Sequence, residues 1–399
     1  MRISTNTIFD KGVARLGEAQ TSLSKTQEQI SLGRRVLTPA DDPVGAAQAL
    51  ELTQAQAINS QFAVNRQNAK NSLNHEEHVL FNITSLIQDA QTLVVSAGNG
   101  ALDNTQRSFL ATELAGRLDD LIGLANTRDG AGNYLFSGYS TSTEPFAKTA
   151  TGANYSGDQG QRMLQVSPSR HLALSDSGAT IFQSIRNGNG ATVTAAGTNS
   201  GSGVISNATL VGTLTGDEYE IEFTSATQFS INNVTTGAVV SAGNNYVSGQ
   251  AITVGEYQVT ITGSPSAAAP ADTFTVEPSG NQDLFQTLTD LIGVLNTPAS
   301  GAVGQANLVN GLNTAGNNLS NALDNVLTVR ASVGSRLKEL ESLDTQGEDR
   351  NIQYAQSLAQ LQDLDYTKAI TDLSKQKIML EAAQQAFVKT SNLSLFNFI

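Results

Sequence analysis

Large apolar residues recur every seven positions at the start of the chain, at Phe9, Leu16, Leu23, Ile30 and Leu37, and Gly12, Ala19, Thr26 and Gly33 lie between them. This 3-4 alternation is a coiled-coil seam, with bulky side chains on one line and small ones on the other. The end of the chain repeats the figure through Ile352, Ala355, Ala359, Gln362, Tyr366, Ala369, Leu373, Gln376, Leu380, Ala383 and Phe387. Small or polar residues fill many seam positions, so neither helix is expected to stand alone. Each needs the other, or copies of itself.

Stronger stripes lie inside these ends. Ala69, Leu73, Leu80, Ile83, Ile87, Ala90 and Val94 mark one helix, interrupted at Glu76, and Leu110, Leu114, Leu118, Leu121 and Ala125 mark a second that stops near Asp129-Gly130. Downstream, Leu284, Leu288, Leu291 and Leu295 predict a short helix ended by Thr297-Pro298. A longer helix carries Leu308, Leu312, Ala315, Leu319, Ala322, Val326, Val329, Val333 and Leu340. At 1.5 Å per residue, 303–343 would span about 60 Å, the length of a rod.

Between the helices the period changes from seven to two. Tyr219, Ile221 and Phe223 share one face, as do Tyr257, Val259 and Ile261, and Phe229-Ser230-Ile231 and Phe274-Thr275-Val276 repeat the alternation. Clusters such as Gly197-Thr198-Asn199-Ser200-Gly201 and Gly243-Asn244-Asn245 read as the turns between strands. Tyr134 to Leu174 reads as a less regular β region. The expected fold class is α+β: an elongated helical rod, its terminal helices paired, with an antiparallel β domain inserted at the tip. Its domains are residues 1–42 with 355–399 for assembly, 43–145 with 281–354 for the rod, and 146–280 for the insertion.

Composition narrows the chemistry. The 399 residues include no cysteine, which excludes thiolate catalysis and disulfides. Asp and Glu outnumber Lys and Arg by 36 to 23, and from Asn187 to Val329 there is no Lys, Arg or His. A nucleic-acid surface needs cations to neutralise phosphates, so that partner is not expected. No apolar run is long enough to span a bilayer, and MRISTNTIFDKG lacks the apolar core of a cleaved signal peptide.

No motif carries catalysis, and neither a cofactor nor a metal is expected. His75 and His78 in NHEEHVLF are three apart, where a zinc-protease helix needs four. DGAGNYLFSG follows a helix instead of opening one and has no phosphate-reaching lysine. In TPADDPVGAA, Thr38, Asp41, Asp42 and Pro43 read as a hinge. Asp42 fits an N-cap before a proline at the first helical position, and Thr38 before Pro39 offers a competing cap.

SLGRRVLTPADDPVGAAQAL resembles the N-terminal signature of the bacterial flagellin family, and LDYTKAITDLSKQKIMLEAAQQAFVKTSNLSLFNFI resembles that family's terminal helix. MRISTNTIFDKG and DGAGNYLFSGYSTSTEPF are similar to the hook-associated members rather than to the filament subunit. The prolines flanking the aspartates depart from the usual flagellin pattern. The resemblance implies a structural, non-enzymatic role at the junction of hook and filament. The implied partners are the first hook-associated protein, flagellin, further copies of the chain in a ring and a dedicated export chaperone, with neither membrane nor nucleic acid among them. It also implies export by the flagellar type III apparatus without a cleaved signal, and an extracellular location. The implied self-assembly and partner residues are Phe9, Leu16, Leu23, Ile30, Leu37, Ile352, Tyr366, Leu373, Leu380, Phe387, Leu395, Phe396 and Phe398, the last three in an apolar tail. The other readings are a filament-forming flagellin and a secreted adhesin, which would leave the heptad ends unexplained.

Overall fold

Carboxylates cap several helix starts in the computed structural model, which describes residues 5–395. The helices are α1 (Thr5–Leu32), α2 (Pro43–Ala97), α3 (Asn104–Ala125), α4 (Leu284–Asn296), α5 (Gly301–Gln362) and α6 (Tyr366–Leu395). Asp103 closes a capping box with Gln106 at the start of α3, and Asp283 accepts the Phe285 and Gln286 N–H groups at the start of α4. The strands are β1 (Phe146–Thr149), β2 (Gly152–Tyr155), β3 (Met163–Ser167), β4 (Arg170–Ala173), β5 (Ile185–Arg186), β6 (Thr192–Ala196), β7 (Val204–Ile205) and β8 (Thr209–Leu210), then β9 (Tyr219–Ser225), β10 (Gln228–Asn233), β11 (Ala238–Asn245), β12 (Ala251–Val254), β13 (Tyr257–Thr262), β14 (Thr273–Pro278) and β15 (Asn281–Gln282). The fold is α+β, with the antiparallel strands inserted between α3 and α4.

Three local expectations are corrected. The C-terminal heptad run is two helices, broken between Gln362 and Tyr366, because the Gly33–Arg35 turn takes up the backbone groups there. Gly243-Asn244-Asn245 ends strand β11 instead of forming a turn. The helix read over 303–343 runs from Gly301 to Gln362.

The contacts divide the chain into two units: residues up to Val64 with those from Ser342, and Asn65–Glu341. In the second unit, Leu73, Leu80, Ile83 and Ile87 of α2, Leu114 and Leu121 of α3, Leu288 and Leu291 of α4, and Leu319, Val326 and Val333 of α5 are fully buried. Phe136, Phe146, Phe182 and Phe285 form an aromatic cluster with ring centroids 4.9–5.7 Å apart. The larger β region pairs a five-stranded sheet, β11-β10-β9-β14-β6, with a smaller one built on β12-β13-β7. Its core holds Tyr219, Ile221, Phe223, Phe229, Ile231, Tyr257, Val259, Ile261, Phe274 and Val276.

Asparagines on one side of α5 hold the backbone between Thr180 and Ile205. Asn310 accepts the Ile205 N–H and donates to Gly203 O, at 3.1 and 3.0 Å. Asn318 accepts the Gly188 N–H at 2.8 Å, Asn321 donates to the Arg186 and Gly188 carbonyls, and Asn325 to those of Thr180 and Ile181. An amide side chain can both donate and accept, so one residue type answers both kinds of orphaned backbone group. Asn318→Ala strands the Gly188 N–H in a buried setting and is expected to cost ~1–3 kcal/mol. Urea denaturation measures it; an unchanged midpoint would show that water replaces the amide without loss.

Candidate assembly interface

The first unit is built around two helix breaks. After α1 the chain turns at Gly33, which has φ +67°, and a Cβ there would lie 2.8 Å from the Tyr366 hydroxyl. The turn meets the gap between α5 and α6: Arg35 N–H donates to Gln362 O at 2.7 Å, and Leu364 N–H donates to Gly33 O at 3.1 Å. Arg35 Nη2 also donates to Leu361 O at 2.9 Å. The freed groups of each break are satisfied partly by the other.

The aspartate pair fixes the turn from its far side. Asp41 Oδ2 accepts the Leu37 and Thr38 N–H groups at 3.1 and 3.0 Å, while its Oδ1 meets Lys25 Nζ at 2.5 Å. Asp42 Oδ1 accepts the Gly45 N–H at 2.9 Å, at the start of α2, whose first residue is Pro43. Its Oδ2 receives Arg35 Nη2 at 3.1 Å. The Lys25 hydrogen bond, then that of Thr38, lowers the Asp41 pKa to about 2, and the Gly45 N–H followed by Arg35 lowers that of Asp42. Thr38 is exposed and contributes its backbone N–H to Asp41.

α1 packs along α6. The Phe9 and Phe387 rings lie 5.0 Å apart, and a Cβ on Gly12 would fall 2.8 Å from the Phe387 ring. Leu16, Leu23 and Ile30 on α1, and Leu373, Leu380 and Phe387 on α6, are half-buried. Leu37 lies in the turn beyond α1, also half-buried. Ile352 and Tyr366 are 56% and 51% exposed. The more buried side of α5 near Ile352 carries Asn351, Tyr354, Ser357, Leu358 and Ala359, with Asn59 donating to Asn351 Oδ1 at 2.8 Å. The Leu395 side chain, Phe396 and Phe398 lie outside the described residues.

Other features have local structural partners. His75 Nε2 is 3.2 Å from Arg128 O, and His78 is exposed. Among the described residues no three His, Asp or Glu side chains are grouped to hold a metal ion. In DGAGNYLFSG, Asp129 Oδ1 accepts the Ala131 and Asn133 N–H groups, closing the turn after α3. Sequence reading missed Asp365, which accepts the Lys368 N–H and caps α6. The available signal was an aspartate just before a helix-forming run.

Residues 3–141 match the family model for the bacterial flagellin N-terminal helical region. Flagellar hook-associated protein 3 of Escherichia coli is 32% identical to this chain over 99% of each. Xanthomonas campestris FlgL superimposes with a TM-score of 0.72 at 28% identity, covering 77% of this chain and 99% of its own. The flagellar junction protein FlgL of Legionella pneumophila gives 0.70 at 26% identity, over 79% and 100%.

Lowered carboxyl pKa values stabilise the fold above the ordinary carboxylate range, and that contribution is lost as pH falls through the folded values. The turn should therefore loosen on acidification toward about 2 for Asp41. In the assembled protein, Asp42→Ala is expected to lower the thermal midpoint more than Asp42→Asn, because asparagine still accepts the Gly45 N–H. Equal losses would place the whole effect in the Arg35 ion pair. In the assembled protein, where this turn is expected to be ordered, Gly33→Ala forces a side chain into the left-handed region and is expected to cost about 1–2 kcal/mol.

Proposed function

The chain belongs to the flagellar hook-associated protein 3 family, and on that premise we propose that it is a structural subunit of the bacterial flagellum at the junction between hook and filament. The observation that carries this reading is the apolar surface left on the paired terminal helices. Phe9, Val13 and Leu32 on α1, and Ile370, Ile378, Met379 and Val388 on α6, are each 49–66% exposed. Fully burying a large apolar side chain is worth about 1.5–3 kcal/mol, so copies of this helix pair gain by packing together. Contacts between different faces of successive copies generate rings and tubes.

In this proposal one ring of copies rests on the first hook-associated protein and receives flagellin on its other side. The assembly region is residues 1–42 with 355–399, including the tail residues Leu395, Phe396 and Phe398. The chain leaves the cell through the flagellar export apparatus, held beforehand by a dedicated chaperone, and works outside it. Its role is mechanical, without catalysis. Weak seams suit export, because a segment that orders only on association remains threadable.

Amide exchange separates this proposal from a preassembled coil. In a verified monomer, residues 1–40 and 355–399 should exchange rapidly and become protected only in the assembly; strong monomer protection would overturn the coupling. Long filaments grown from the purified protein alone would favour a flagellin-type subunit instead.

The chain enters and leaves residues 188–279 side by side. β5 pairs with β15, and the Asn187 N–H donates to Gly280 O at 3.2 Å. Replacing 188–279 with a short Gly-Ser linker should therefore preserve export and filament growth in a strain lacking the gene. If the shortened protein is exported yet no filament forms, the β region is part of the junction.

A further inference from the structure

We propose that residues 161–178 form a proton-sensitive strap, docked on α2 and α5 over the buried carboxyl of Glu76 and loosened when that carboxyl ionises. The strap contains the β3–β4 hairpin and the segment that follows it. On α2, Asn65 Nδ2 donates to Gln165 O at 2.8 Å and Arg66 Nη1 donates to Val166 O at 3.1 Å. On α5, Arg170 binds both carboxylate oxygens of Glu339, and Arg336 donates to Ala173 O while pairing with Asp176. The last anchor is Glu76, whose Oε1 accepts the Asp176 N–H at 2.8 Å.

Glu76 has no exposed surface, and its Oε2 has no hydrogen-bond partner among the described residues. It interrupts an apolar stripe between the fully buried Leu73 and Leu80. The charged groups acting on it are Asp176 and Arg162 on the strap and Arg336 on α5. Arg336 is already paired with Asp176, and an Arg162 nitrogen lies 3.9 Å from Asp129. Its neighbour Glu77 is engaged by Arg330 of α5, and His75 meets the Arg128 carbonyl. Burial is the main cause, with the Asp176 charge second, of a Glu76 pKa raised from 4.5 to about 8. A carboxylate here would be buried without a dedicated counter-ion, which is costly.

When the strap lifts, water reaches Glu76 and restores an ordinary carboxyl pKa. The docked state therefore binds a proton that the open state releases. Docking is strongest below the open-state value, weakens by up to about tenfold per pH unit above it, and levels off beyond the docked value. The proton-linked stabilisation is thus lost across the interval from 4.5 to about 8.

Amide exchange on the full-length protein from pH 5 to 9, corrected for intrinsic exchange, tests the latch. Strap protection should fall as pH rises to about 8 and then flatten, while Glu76→Gln, which keeps the Oε1 acceptor without a titrating proton, should remove that slope. An equal slope in both proteins, or none in the wild type, overturns the proposal. A carboxyl carbon-13 titration of the wild type decides the matter even if the variant does not fold. A Glu76 midpoint near 8 supports the latch, and one in the ordinary carboxylate range overturns it.

Discussion

Backbone N–H and C=O groups released where regular structure stops must find partners, and here many find them on segments distant in sequence. The α5–α6 break hydrogen-bonds to the turn after α1, more than three hundred residues away in the chain. Loop groups near residues 180–205 are met by asparagines of α5. Side-chain burial supplies much of the driving force for folding, but it does not choose between registers of a weak heptad seam. Directional bonds at the breaks do so, because a one-turn slip would leave several of them unmade.

The same demand explains how buried carboxylates are held in a stretch that has no cations of its own. From Asn187 to Val329 the chain has no Lys, Arg or His, and its buried carboxylates Asp272 and Glu256 take neutral donors. Asp272, fully buried, accepts the Ser200, Gly201 and Ser266 N–H groups. Glu256 accepts the Thr215 N–H and hydroxyl and the Tyr219 hydroxyl. Hydrogen bonds from fixed amides stabilise a carboxylate without a partner ion. Such carboxylates brace turns instead of bridging elements by charge.

Period alone made much of the fold legible. Seven-residue spacing marked the helices, and two-residue spacing marked β9, β10, β13 and β14, whose alternating burial follows one sheet face. β11 escaped because an edge strand exposed on both faces need not alternate, and Val239 and Val240 are both exposed. The α5–α6 break escaped because Gln362, Tyr366 and Ala369 keep the seam spacing across it. At the turn, Asp42-Pro43 was readable as a helix start from local chemistry. Lys25 and Arg35 as its fastenings were not, since only the reversal at Gly33 brings them there. Glu76 was visible as a flaw in a stripe, but a charge symbol in a sequence does not reveal how completely the side chain is buried.

The cation-free stretch also governs how the protein meets reagents. Trypsin cuts after lysine and arginine, so even when fully unfolded the chain from Asn187 to Arg330 leaves digestion as one long peptide. Amine-directed labels and cross-linkers likewise find no lysine there. The larger β region, α4 and much of α5 are therefore silent in mapping experiments that rely on lysine or arginine, and an apparent lack of contacts in such a map would reflect the composition of the region before anything about its neighbours.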